Sequence, residues 1–422
     1  VIPNYMAEPI ARALTGVRER HGDIDEYVMS ELGYGSKEDL YKAFGAEQVD
    51  GLALAIDSLQ RGGSFIIGDQ TGVGKGRQCA GLMRWAQKNG RIPVFFTAKS
   101  MLMTDMYYDG KDIGTDFQPL ILGDVSEASV ISRENGERII RATEKKKIGK
   151  EGVKLLDNDG TYNALWLPYS QVNTRDNEQQ LFIRDLLNRQ KCLIVMDEAH
   201  SAAGADSNLG AFFRGDIEDE RGKKRKKKKK GDEEGREKKP GILESAPVVY
   251  VSATFAKRAD NMPLYYKTKL ASAVQQVKNL PEVMKLGGEG LQQWISRALT
   301  EDGQMKRNER DFSGVEFDPV TYTPDNIEEV RGRYDEVAAV LRAMVAYSEL
   351  VRDRVKKIAE YQKANTNEEG FTAAQSFSSI SHNFISSMLL GLKLDATVKR
   401  VAESVKAGEK PVIALTETKG SF

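Results

Sequence analysis

Apolar residues gather in short runs separated by longer mixed stretches. Runs fall at 64–67, 93–97, 118–122, 164–168, 192–196 and 247–251. Leu193-Ile194-Val195-Met196 is apolar at four successive positions, as suits a strand covered on both faces. A helix is predicted from Arg77 to near Gly90. Helices between buried strands predict an α/β fold with a parallel sheet and right-handed crossovers. Ahead of this pattern, residues 1–45 read as short helices broken at Gly33-Tyr34-Gly35. Behind it, 266–310 reads as helical with a break at Leu286-Gly287-Gly288, and 314–323 as strand-like. Helices are then predicted at about 325–363 and 373–407, with a polar linker near Asn365. Val337, Val340, Leu341, Met344, Val345 and Tyr347 recur at helical spacing, which predicts a packed core face.

Three strand ends carry chemistry. After the first run comes Gly68-Asp69-Gln70-Thr71-Gly72-Val73-Gly74-Lys75-Gly76-Arg77. Glycines at 72 and 74 let backbone N–H groups converge on a phosphate, the next helix adds its positive end, and Lys75 supplies an ammonium. The cofactor-binding set is therefore Thr71, Gly72, Val73, Gly74, Lys75, Gly76 and Arg77, with ATP and Mg²⁺ as ligands. The residue after a phosphate-loop lysine is ordinarily Ser or Thr, whose hydroxyl ligates Mg²⁺. Gly76 cannot, which leaves water or Thr71 for that place.

The run ending at Met196 is followed by Asp197-Glu198-Ala199-His200. In an open α/β sheet it ends beside the phosphate loop. Asp197 is then the Mg²⁺ ligand, Glu198 polarises the attacking water and His200 touches the coupling segment. That segment is Ser252-Ala253-Thr254, whose hydroxyls at Ser252 and Thr254 can relay nucleotide state. Gln48, about twenty residues before the loop, reads equally as an adenine-recognising amide or a solvent-facing helix residue. Loops after 93–97 and 164–168 share the nucleotide edge, so Thr97, Lys99, Ser100, Tyr169 and Ser170 are candidates for nucleic-acid phosphates.

The order phosphate loop, Asp-Glu-Ala-His, Ser-Ala-Thr resembles superfamily-two helicases and translocases. The loop with Gly76-Arg77, together with Phe95-Phe96-Thr97 through Asp105, Asp112-Ile113-Gly114, Tyr169-Ser170 and Val249-Tyr250-Val251, is similar to the strawberry notch family. The opening segment, with Val28-Met29 and Ala46-Glu47-Gln48-Val49-Asp50, resembles bacterial and phage members, some of them antirestriction proteins fused to a DNA methyltransferase. The resemblance covers most of 45–265. It implies an ATP-driven motor on nucleic acid, with DNA favoured over RNA, and a transition-state arginine from a second RecA-like domain. The other class in play is an ATP-gated binding or scaffold module. A methyltransferase activity would have to lie elsewhere, as no Asp-Pro-Pro-Tyr or Asn-Pro-Pro-Tyr box is present.

Charge narrows the partners. Sixty-two basic residues balance 62 acidic ones, so a nucleic-acid site must be a local patch. The run Arg221–Lys230 repels itself and predicts a disordered basic loop over about 216–240. Two cysteines, Cys79 and Cys192, and three histidines argue for buried thiols in a reducing compartment and against a metal cluster. No apolar run approaches ~18 residues and no leader opens the chain, giving the expectation of a soluble cytoplasmic protein, in a bacterial host if of phage origin, or packaged in the virion. The expected organisation is an accessory segment at 1–45, a RecA-like ATPase domain at 46–265, a helical middle region at 266–407 and, at 408–422, the first strand of a second RecA-like domain. Val1 in place of methionine and the strand-like end suggest a piece of a longer protein.

Overall fold

The computed structural model describes residues 1–123, 128–143, 156, 161–202, 208–215, 240–253, 259–270, 280–311, 313–315, 327–363 and 374–413. Outside these lie Thr254, the basic run, most of 314–323, the linker near Asn365 and residues 414–422. The chain divides into two compact units, Val1–Ser313 and Gly314–Phe422.

In the first unit, helices α1 (Asn4–His21), α2 (Ile24–Leu32), α3 (Lys37–Ala43) and α4 (Ala46–Gln60) precede strand β1 (Phe65–Ile67). Asp23 caps α2 by accepting from Glu26 N, and Ser36 caps α3 by accepting from Asp39 N. Then follow α5 (Lys75–Lys88), β2 (Ile92–Thr97), α6 (Leu102–Asp112), β3 (Pro119–Ile121), the antiparallel pair β4 (Ser129–Ile131) and β5 (Arg138–Arg141), and β6 (Ala164–Pro168). The unit continues with α7 (Glu178–Arg189), β7 (Cys192–Asp197), α8 (Asn208–Arg214), β8 (Val248–Val251), α9 (Leu280–Glu301) and β9 (Met305–Lys306). Seven strands form one sheet in the order β3-β6-β2-β7-β8-β1-β9, every pairing parallel.

The six expected strands are all present. Alternate residues of each feed opposite cores: Ile66, Phe96, Met196 and Tyr250 face one side, Phe65, Phe95, Val195 and Val251 the other. Helices α7, α8 and α9 cover the first core, and α2, α4, α5 and α6 the second. Helix α1 serves both, placing Met6 and Ile10 in one and Ala13 and Val17 in the other. Residues 1–45 are thus integral to the unit. Likewise α9 and β9, expected in a separate middle region, belong to it: Ile295 and Leu299 enter the first core, and β9 pairs with β1. The expectation of a helical 266–310 broken at Leu286-Gly287-Gly288 meets non-helical backbone at Gly288 but misses β9, because two residues are too few to show a strand period.

In the second unit, α10 (Ile327–Lys363) and α11 (Ala374–Lys406) pack on each other. On the expected core face of α10, Val337 and Leu341 are half-buried, whereas Val340, Met344 and Tyr347 are exposed. Helical spacing records an apolar stripe without recording whether anything covers it. Pro411–Ile413 are exposed and form no strand. Among the described residues no helix is long and apolar enough to cross a membrane.

A buried charge fastens α1 to α4. Asp57, 2% exposed, accepts from Arg20 Nε and Nη2 at 2.8 Å each and from Arg61 Nε at 3.0 Å, and lies 2.9 Å from His21 Nε2. Burial works against its charged form, yet the bonds from Arg20 and His21 outweigh this and hold the carboxyl below its ordinary value. Asp57→Ala should cost about 2–4 kcal/mol in denaturant unfolding at pH 7. A depressed carboxyl lends stability that is whole above its unfolded pKa of about 4 and is lost as pH falls through the folded value. The gap between wild type and variant should therefore narrow on acidification below about pH 4.

Candidate nucleotide-binding site

Parallel register brings the three predicted motifs to one sheet edge. Ile67 pairs with Val251, and Val251 pairs with Asp197, so β8 stands between the strands that launch the phosphate loop and the acidic pair. Ser252 N donates to Ile67 O at 3.0 Å, which ties the coupling segment to the root of the loop.

The loop runs from Gly68 to Gly74, and α5 begins at Lys75. Gly72 and Gly74 adopt φ of 85° and 92°, the left-handed region that a side chain resists. A Cβ on Gly74 would also overlap Gln48 Nε2. That amide donates to Gly74 O at 3.3 Å, while its Oε1 accepts from Gly45 N at 3.0 Å. Gln48 is thus held on the loop rather than turned to solvent. Thr71 is exposed. Arg77 is drawn aside to Asp112 at 2.9 Å.

At the acidic pair, Asp197 Oδ2 accepts from Thr97 Oγ1 at 3.3 Å and its carbonyl accepts from Tyr169 Oη at 2.9 Å. Burial first, then the Glu198 charge, lift the Asp197 carboxyl to about 6, while Thr97 and the Lys75 ammonium pull the other way. Glu198 has φ 48°, a strained value for a residue bearing a side chain. His200 Nδ1 lies 3.0 Å from Ser252 Oγ and 3.3 Å from Glu198 Oε2. The structure therefore joins His200, Glu198 and Ser252.

The expected nucleic-acid residues divide. Thr97 and Tyr169 are buried, and their hydroxyls serve Asp197, so neither side chain is presented to a polymer. Lys99 and Ser170 are exposed, and Ser100 partly so. A strand-end hydroxyl reads the same in sequence whether it turns in or out.

Several residues escaped the sequence reading. Asp69, fully buried, accepts from Gln78 Nε2 at 2.7 Å and from Asn308 N at 2.6 Å. A Cβ on Gly76 would overlap the Asp109 carboxylate, so this carboxylate stands where a Ser or Thr side chain would begin. Burial lifts Asp109 to about 6 against the pull of Arg77. Arg310 donates through Nη2 to Gly72 O at 3.1 Å. Only the polar character of Asp69-Gln70 hinted at any of this.

Residues 39–336 match the model of the family described as P-loop containing NTP hydrolase pore-1. The chain belongs to that family. No curated protein matches this P-loop NTP hydrolase. Among solved structures it is similar to a Sulfolobus solfataricus SWI2/SNF2 ATPase core in complex with dsDNA, at 12% identity and TM-score 0.35, over 86% of this chain and 65% of that one. It is also similar to the type ISP restriction-modification enzymes LlaGI, in complex with a DNA substrate mimic (12% identity, TM-score 0.30), and LlaBIII, bound to DNA (14%, 0.32). Each likeness takes in 50% of this chain, and 17% and 12% of those proteins respectively. The P-loop NTP hydrolase therefore spans less than two thirds of each of these three structures. The family match, not these distant likenesses, carries the assignment.

Because Asp197 is costly to hold charged, Asp197→Asn should stabilise the Mg²⁺-free chain. A raised acid pKa means the folded state binds the proton first, so native stability falls as pH rises between about 4 and 6. At pH 7.5 the variant should melt several degrees above wild type, by an amount on the order of 2–3 kcal/mol. At pH 5 the difference should shrink. Equal melting at both pH values would contradict the burial argument.

Proposed function

We propose that this P-loop NTP hydrolase is the first motor domain of an ATP-dependent DNA helicase or translocase of the strawberry notch type. The observation that carries this is the His200 bridge, Nδ1 facing both Ser252 Oγ and Glu198 Oε2. It links the acidic pair to the segment after β8, as a motor that converts hydrolysis into motion requires. Motif order along the chain supports the same reading.

The residues present suit a magnesium nucleotide. Asp197 is a half-buried carboxylate whose charge lacks full compensation, and Gly72 and Gly74 hold the loop in a left-handed backbone that keeps side chains off its N–H groups. In this reading Lys75 and the N–H groups of Gly72 to Gly76 bind the phosphates, and Gln48, already on the loop, recognises the base. Asp197 holds Mg²⁺, which when bound neutralises charge on the phosphate oxygens. Thr97 and Tyr169 keep Asp197 oriented. Glu198 accepts a proton from the water that attacks the terminal phosphorus, and ADP is the leaving group. His200 then exchanges its bond between Glu198 and Ser252. Lys99, Ser100 and Ser170 offer the exposed donors for nucleic-acid phosphates.

Glu198→Gln should leave ATP affinity within a few-fold of wild type and lower turnover by roughly 10²–10⁴-fold. Lys75→Ala should weaken ATP binding itself. Titrating single- and double-stranded DNA into the ATPase assay separates the readings: stimulated turnover supports the motor, whereas ATP binding with flat, DNA-independent turnover marks an ATP-gated binding module.

A further inference from the structure

The segment after β9 does not leave the sheet. Three rungs spaced by two residues continue along β1 into the loop: Ile66 N, Gly68 N and Gln70 N donate to the carbonyls of Gln304, Lys306 and Asn308, each at 2.8 Å. In such a ladder, residues two apart share a face. Lys306, Asn308 and Arg310 are therefore on one side. Lys306, 2% exposed, donates through Nζ to Glu47 O, one residue from Gln48. Asn308, also 2% exposed, leaves both side-chain amide atoms without a hydrogen-bond partner. An unpartnered buried amide lowers stability, a cost that a bound ligand removes.

Arg310 ends this row. Its backbone N–H donates to Gln70 Oε1 at 3.0 Å, and its guanidinium lies across Gly72, where a Cβ would overlap Nη2. Among the described residues the guanidinium makes one hydrogen bond, from Nη2 to Gly72 O. Its other N–H groups are open at the exposed rim of the loop. A planar, permanently charged fork matches phosphate oxygens two at a time, which an ammonium does not.

We propose that Lys306–Arg310 forms the outer wall of the nucleotide site and that Arg310 binds the phosphate chain of the nucleoside triphosphate beside Lys75. The assignment rests on the phosphate loop being the nucleotide site. It gives that site a cation from the same compact unit, carried to it by the sheet.

The test measures Mg·ATP binding to the whole 422-residue chain by calorimetry, with thermal melting of the nucleotide-free protein alongside. Arg310→Ala should weaken ATP about 10- to 100-fold, the loss of one or two charge-assisted bonds. Arg310→Lys should recover only part, and the nucleotide-free melting temperature should hold. Asn308→Ala should weaken ATP less. ATP affinity unchanged in Arg310→Ala overturns the proposal, and a lowered melting temperature with that result makes Arg310 a strap on the loop. If Lys75→Ala loses ATP while Arg310→Ala keeps it, the nucleotide site stands and the outer wall falls. If wild type itself binds no ATP, both fall.

Discussion

Backbone hydrogen bonding on both sides of a three-residue strand is what the site depends on. β1 is clamped by β8 on one flank and by β9 and its continuation on the other. A strand paired on two sides cannot slip by one residue without turning Phe65 and Ile67 into the wrong core. The loop that leaves it is thereby aimed, although its glycines have little stiffness of their own. The same ladder sets Asp197 level with Val251, so the acidic pair is placed by sheet register rather than by contacts among the loops.

Negative charge is concentrated under and beside the loop. Asp69 is satisfied by Gln78 and the Asn308 N–H, but Asp197 and Asp109 are both lifted to about 6 by burial. Burying carboxylates without full partners lowers native stability, and such strain concentrates where a ligand relieves it. Glu198 with its left-handed backbone belongs to the same pattern.

The layout of strands was legible because each buried strand is short, uniformly apolar and bounded by polar residues. That the Gly68–Gly74 loop, Asp197-Glu198 and Ser252 share one sheet edge was legible because each directly follows a buried apolar run. Thr97 and Tyr169 were read outward, because whether a hydroxyl at a strand end turns in is fixed by the neighbouring strand. β9 was invisible for lack of length. Asn308 and Arg310 meet the loop across some 240 residues of chain, and nothing local marks that approach. Val340, Met344 and Tyr347 show the converse, apolar residues at helical spacing that the described structure leaves exposed.

Val1 and Glu309 exchange backbone hydrogen bonds in both directions, at 2.7 Å each. The segment entering α1 is thus stitched to the strand that follows α9, while α1 reaches into both cores. Such contacts between distant parts of the chain slow folding, because the intervening loop must close before they form. During synthesis, α1 leaves the ribosome long before its partner helix α9 exists. Until α9 emerges, Met6 and Ile10 lack the part of their core that Ile295 and Leu299 supply, so this apolar face of α1 is completed late.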